Sequence, residues 1–365
     1  MEYKSLGDYI REVNVRNREL KVTNLLGLSV SKEFMPSIAN TIGTDMSTYK
    51  VVERNQLVYI ADTSRRGDKI AIGLLDKYDN AIVSQAYTVF EVIDHEQLLP
   101  EYLMMWFRRP EFDRYARFHS HGSAREVFDW DELCDVRLPI PSIARQREIV
   151  AEYETLINRI RLNEQMIQHL EATAQALYRK MFVDNINKEH LPPNWHLSTL
   201  GEVATIKAGG DKPTEFSEVR SEKYRVPVYA NGIDNKGIFG YTTKPIISAK
   251  SITISARGTI GHCFLRQEPY VPIVRLIVVI PNDEAMTQYL YYSLNASNIK
   301  GSGSVQSQLT VPDMEARDII VPPLSLLTEF HDKVDIIQES IRIRENENEK
   351  LTELQSLLLA KMGQI

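Results

Sequence analysis

One run of residues constrains this chain more than any other feature. Ile149, Tyr153, Leu156, Ile160, Asn163, Ile167, Leu170, Ala174, Leu177 and Met181 fall at alternating spacings of four and three. That is the a/d rhythm of a coiled-coil seam, and only Asn163 breaks its apolar character. Pro141 and Ser142 stand just upstream, with Ser142 as N-cap. The spacing predicts one helix over Ile143 to Phe182, about 60 Å long at the rise of an α-helix.

The rod has a counterpart. Shifted by 181 residues, the sequence meets itself: Ile140-Pro141 falls on Val321-Pro322, Glu148 on Glu329, Leu156 on Ile337, Leu170 on Leu351 and Lys180-Met181 on Lys361-Met362. Gly122-Ser123 falls on Gly303-Ser304 at the same shift. Two such periods take up nearly the whole chain of 365 residues, so a large unit is duplicated and no short solenoid repeat is stacked. The expected boundaries are a globular region at 1–141, a helix at 142–184, a second globular region at 185–322 and a second helix at 323–365. The second helix, about Leu324 to Met362, carries Phe330, Val334, Ile337, Ile341, Leu351 and Leu358 on its seam, interrupted by Arg344 and Asn348. Packed antiparallel, the rods meet at their middles, with Asn163 opposite Arg344 or Asn348. A buried polar pair of that kind fixes register at a cost in stability. The other arrangement leaves Arg344 and Asn348 exposed at a wet seam.

Each globular region is dominated by short β-prone runs. The first has Tyr49–Val52, Leu57–Ile60, Ile70–Ile72 and Tyr87–Val92, then a helical stretch at Pro100 to Arg108. The second has Pro227–Tyr229, Ser251–Ile254 and Val274–Ile280, with a helix expected at Met286 to Asn295. The fold class is therefore α+β: two mixed α/β domains separated by two long antiparallel coiled-coil helices, with an internal pseudo-twofold repeat.

Composition is that of an ordinary globular protein, 43% hydrophobic and 25% charged. No apolar run approaches a membrane span, and no basic-then-apolar export signal stands at Met1–Ser5. Two cysteines, Cys134 and Cys263, make no disulfide framework and suit a reducing compartment. A cytoplasmic location without membrane contact is expected. The formal charge is −6, spread as −4, 0, +1 and −3 over the four segments. No segment is a basic coat, so any nucleic-acid affinity rests on local clusters or on partners.

Catalytic signatures are missing. There is no phosphate-binding G-x-x-x-x-G-K-[ST] and no Asn/Asp-Pro-Pro-aromatic tetrapeptide of adenine methylation; Leu191-Pro192-Pro193-Asn194-Trp195 has the prolines without the acid or amide before them. Pro312-Asp313-Met314-Glu315 faintly resembles a nuclease acidic pair, but helix or loop charge is the better reading. His119-Ser120-His121 lacks a Cys or acidic ligand at metal spacing. The sequence argues for a binding protein.

Candidate contacts lie in loops and on one helix. From Arg108 to Arg125, five arginines stand against two acids and alternate with aromatics; Arg114, Arg117, Ser123 and Arg125 are the candidates there. Arginine suits phosphate contact and bidentate guanine readout. The bland alternative is a solvated helix face with pairs such as Glu111 and Arg114. Arg65, Arg66 and Lys69 form a weaker cluster. In the second region, Ser255-Ala256-Arg257-Gly258-Thr259-Ile260-Gly261 sets Arg257 and Thr259 in a glycine-bounded turn. Asn231 lies in the polar loop Tyr229–Ile233, and Ser304, Gln306 and Gln308 offer a hydroxyl and two amides of the type that reads adenine edges.

In the order of these parts the chain resembles the specificity subunit (HsdS) of type I restriction–modification systems. Leu170-Glu171-Ala172-Thr173-Ala174-Gln175-Ala176-Leu177 through Phe182 looks like the end of that family's first conserved helix. Leu191–Trp195 with Thr199-Leu200-Gly201-Glu202 looks like the start of its second target-recognition domain, and Val228–Gly232 and Ala256–Gly261 resemble loops inside it. Val83–Tyr87 and Gly122-Ser123 match less tightly. The resemblance implies that each domain reads one half of a bipartite, asymmetric site on double-stranded DNA, and that the helices set the spacer. Two modification (HsdM) subunits would dock and methylate adenine N6 with S-adenosylmethionine; restriction (HsdR) subunits would add ATP- and Mg2+-dependent cleavage. No cofactor would belong to this chain. Two further possibilities are a degenerate methyltransferase or nuclease, and a coiled-coil adaptor with two ligand-binding domains and no DNA role.

Overall fold

Leu57-Val58-Tyr59-Ile60 is apolar without alternation because both faces of its strand are buried. A computed structural model describes residues 3–37, 43–63, 69–122, 126–184, 186–187, 189–297, 299 and 308–364. The chain forms two compact units, the first made of Met1–Asn163 with Glu345–Ile365, the second of Glu164–Arg344.

In the first unit an antiparallel sheet runs in the order Ile10–Val13, Thr88–Val92, Leu57–Tyr59, Ile72–Leu74. Successive side chains point to opposite faces. Leu57 and Tyr59 therefore enter one core with Ile72, Phe90 and the helix Pro100–Phe107, whereas Val58 and Ile60 enter another with Leu26, Leu28 and Val52. Pro110 explains why the following arginines start a new helix. It holds Arg109 in extended backbone and takes the first turn of Pro110–Phe118.

The second unit repeats this plan. Its antiparallel sheet runs Ala204–Ala208, Ile277–Pro281, Ser251–Ile254, Cys263–Arg266. In both sheets the spatial order is first, fourth, second, third of the strands taken along the chain. Each sheet is followed by a core helix (Pro100–Phe107; Met286–Ala296), a short helix (Trp130–Cys134; Val311–Glu315) and a strand that pairs back to the first strand of its globular part. Those closing pairs are Tyr3–Ser5 with Arg137–Pro139 and His196–Thr199 with Asp318–Val321. The duplication expected from the helices therefore extends through the globular parts. The second unit adds a three-stranded sheet, Ile238–Thr242, Val226–Tyr229 and Val271–Pro272. The run expected as a strand from Val274 begins later: Val274 and Arg275 have φ of 52° and 58° and form a turn, and the strand is Ile277–Pro281.

The long helices are Ile143–Phe182 and Leu324–Lys361. The Ser142 hydroxyl accepts the Arg145 N–H. Gln146, fully buried, ties the first helix to its domain by accepting from Leu99 N and donating to the Gln97 and Pro141 carbonyls. In the first unit Ile149 and Tyr153 share a core with Leu359 and Met362. In the second, Ala174, Tyr178 and Phe182 share one with Leu327, Phe330 and Val334. Early residues of one helix meet late residues of the other, so the packing is antiparallel. The polar middle is Asn163, 4% exposed, whose Nδ2 donates to Asn348 Oδ1 and Glu347 Oε2, both at 2.9 Å. Arg159 pairs with Glu347 at 2.8 Å. Arg344 is not opposite Asn163; its Nε lies 2.9 Å from Met166 Sδ.

Candidate nucleic-acid interface

On the first unit, the four arginines in and just before helix Pro110–Phe118 divide between buried or paired positions and the surface. Arg108 pairs with Glu33 at 3.1 Å, and Arg109 is buried with its guanidinium 4.2 Å above the Trp106 ring. Arg114 and Arg117 reach the surface. Arg114 pairs with Glu111 at 3.2 Å while its side chain stays 71% exposed, and Arg117 pairs with Glu126. Exposed pairs of this kind are weak and can exchange for a phosphate. The helix is anchored from below by Lys32, whose buried ammonium meets Asp113 at 2.9 Å and the Phe107 carbonyl. Burial lowers the Lys32 pKa, against the pull of Asp113. Phe118, at the helix end, is 82% exposed. Lys69 is exposed. Arg65, Arg66, Ser123 and Arg125 lie outside the described residues.

His119 and His121 have an acidic neighbour that the sequence did not reveal. Glu132 approaches His119 Nδ1 at 3.0 Å and His121 Nε2 at 3.3 Å. Among the described residues no group of three or more His, Cys, Asp or Glu could hold a metal ion. Asp313 closes a capping box with Thr310 on the helix Val311–Glu315, which accounts for that acidic pair as helix chemistry.

On the second unit the candidate loops converge. Ser255 to His262 is a hairpin turn between Ser251–Ile254 and Cys263–Arg266, closed by Ser255 N to His262 O at 3.0 Å and Gly261 N to Ser255 O at 2.9 Å. Gly261 has φ +85°, and a Cβ there would lie 2.7 Å from the Ile299 carbonyl oxygen, so only glycine fits. Arg257 and Thr259 stand exposed on this turn. Arg257 Nη2 donates to Gln308 Oε1 at 3.2 Å, and Leu309 N reaches the Ala256 carbonyl at 3.0 Å. Arg257 and Gln308 are thus brought together; Ser304 and Gln306 lie outside the described residues.

Asn231 is placed behind this surface. Its amide oxygen accepts the Ala256 N–H at 2.7 Å and its amide nitrogen donates to the Val274 carbonyl at 2.8 Å. Beneath it, buried Arg266 stacks 3.5 Å from the Tyr229 ring, donates to Thr253 Oγ1 at 2.9 Å and holds the Lys236 carbonyl at 2.7 Å. Burial lowers the Arg266 pKa. Arg266 thereby steadies the loop that follows Asn231. Sequence reasoning passed over it because it sits inside a strand; only an arginine in an apolar run hinted at it.

The chain is a duplicated α+β scaffold in which each copy closes on part of an antiparallel helix pair and presents its own loops. Comparison with known proteins agrees. The family model of the type I restriction modification DNA specificity domain matches residues 40–172 and 192–356, once in each half. The chain belongs to the type I restriction–modification DNA specificity family. A putative type I specificity subunit of Mycoplasma pneumoniae is 39% identical over 126 residues, 34% of this chain and 38% of that protein, so the chain spans well under half the length of that relative. The Type I restriction enzyme HindI specificity subunit of Haemophilus influenzae is 22% identical across 98% of this chain and 97% of its own. The crystal structure of the type I restriction–modification S subunit from M. genitalium shares the fold, with a TM-score of 0.64 over 99% of this chain and 96% of that one at 14% identity.

Proposed function

We propose that the two globular domains each read one half of a bipartite, asymmetric DNA sequence, and that the two long helices set the spacer between the halves. The carrying observation is the duplication itself. One topology occurs twice and matches the specificity-domain model twice, yet the loops it presents differ. Two unlike readers on a repeated frame suit a non-palindromic site.

The chain supplies binding and not chemistry. Modification subunits dock and methylate adenine N6 using S-adenosylmethionine, and restriction subunits bring ATP- and Mg2+-dependent cleavage. Docking is supported by large apolar side chains left on the helices, among them Ile336 at 72% and Leu357 at 65% exposure, with Leu162, Met166, Ile343 and Leu354. Paired surface arginines and the net charge of −6 fit a subunit whose partners share the phosphate contacts.

The test is methylome sequencing of cells expressing this chain with its modification subunit. A new bipartite N6-methyladenine motif is expected; no new motif sinks the reading. Incubating the purified chain alone with DNA and S-adenosylmethionine is expected to yield no methylation, and methylation there would make it an enzyme.

A further inference from the structure

Asn231 reaches two loops, and in each the next residue along the chain is an exposed arginine. Its Oδ1 holds Ala256, ahead of Arg257; its Nδ2 holds Val274, ahead of Arg275. Its own carbonyl accepts from Ser255 Oγ at 3.3 Å. One side chain therefore sets the separation of two guanidinium-bearing turns.

The second turn is held against its own preference. Val274 and Arg275 are successive residues with positive φ, closed by Leu276 N to Ile273 O at 3.1 Å. Two such residues in a tight turn call for Asn-Gly, and a β-branched residue there is strained. The surroundings over-determine it. Val274 N donates to Gly210 O at 2.9 Å, Arg275 N to Gly209 O at 3.0 Å, and Gly209 N returns to Leu276 O at 2.8 Å. A Cβ on Gly209 would lie 2.8 Å from Ile273 N, so the two backbones need glycine to approach this closely. Strain kept at an exposed turn marks a site where presentation outweighs stability. Arg275 forms no ion pair among the described residues, and Arg257 is steadied by a neutral amide acceptor, Gln308. Among the described residues neither guanidinium is neutralised by an acid.

We propose that Arg257 and Arg275 form a two-armed contact to the phosphates of a DNA duplex, and that Asn231 is the positioning residue that sets the two arms. The inference rests on the DNA-reading function proposed above. Unneutralised guanidiniums at a fixed separation suit successive anionic oxygens. Contacts of that type fix a protein's register on the duplex without themselves carrying sequence.

The experiment uses the full chain assembled with its modification subunits, and as probe a duplex carrying the motif recovered by methylome sequencing. Arg257→Ala and Arg275→Ala are each expected to weaken binding on the order of 10-fold and to lower the slope of log affinity against log salt by about 1. Arg275→Lys is expected to keep most of the affinity, because lysine serves a phosphate as a point charge. Asn231→Ala is expected to weaken binding alone but to add nothing in the Arg257→Ala/Arg275→Ala background. Arg275→Ala with wild-type affinity and slope overturns the proposal. So does a methylated motif that relaxes at one position, which would make the arginine a base reader. Further loss from Asn231→Ala in the double background would mean that it acts through folding. A wild-type assembly that binds no duplex and methylates no motif removes the DNA-reading function itself, an outcome distinct from all of these.

Discussion

At the scale of single residues, several side chains do work that their type alone conceals. Val274 sits at φ 52°, where asparagine costs less than valine; Val274→Asn is expected to raise unfolding stability by roughly 1 kcal/mol, measured by urea denaturation. The Cys263 thiol is buried and pushed up to about 12 by that burial. It is therefore expected to resist iodoacetamide at mildly alkaline pH in the folded chain and to react only on unfolding, as read by mass spectrometry. Glu202 titrates below the ordinary glutamate range because the Ser198 hydroxyl and the Thr199 N–H stabilise its carboxylate in the capping box. A depressed carboxylate contributes stability above its unfolded pKa of about 4.3 and loses it as pH falls through the folded value. The stability gap between wild type and Glu202→Ala should therefore be widest near neutrality and shrink on acidification. Arg257 drew notice in the sequence for its glycine-bounded turn, Asn231 for its polar loop and Gln308 for its amide. Arg275 did not, because Val274–Ile280 reads as one β-prone run and nothing local announces a left-handed turn. What holds that turn comes from Gly209, Gly210 and Asn231, all distant in sequence.

Among the elements, the long helices were the most legible. A heptad pattern kept from Ile149 to Met181 leaves little room for another structure, and with the Pro141-Ser142 start it predicts the helix Ile143–Phe182 that is found. The sequence narrowed the partner of Asn163 to two residues, and the fold selects Asn348 with Glu347 beside it. Asn163→Ala should cost about 1–2 kcal/mol, since it removes a buried donor from two half-buried acceptors. Asn163→Leu with Asn348→Leu should be neutral or stabilising while loosening helix register. Thermal unfolding of the single and double variants checks both. Some strands were legible, Leu57–Tyr59, Thr88–Val92 and Ser251–Ile254 among them, whereas the run Ile70–Ile72 is displaced to a strand at Ile72–Leu74 and the run from Val274 starts at Ile277; sheet order was not legible, because runs of three to five residues fix no pairing partner. The shared first-fourth-second-third order is set by which faces are apolar and by the helix each sheet must cover.

For the whole molecule, both long helices run unbroken through the boundaries of the compact units, at Asn163 and Arg344. Removing one heptad from each helix is therefore expected to change the spacer of the methylated motif while keeping both half-sites, and methylome sequencing reads the result. The same division sets an order for synthesis. The second unit is one continuous stretch, Glu164–Arg344, whereas the first needs Glu345–Ile365. Leu359 and Met362 fill its core, and the Tyr3 hydroxyl donates to the Gly363 carbonyl at 2.8 Å. On the ribosome, where domains ordinarily fold from the N-terminus, the half made first must wait for residues that follow the other half. A stop codon shortly after Arg344 would spare the later half and leave the earlier one unfinished, a polarity opposite to that of most truncations.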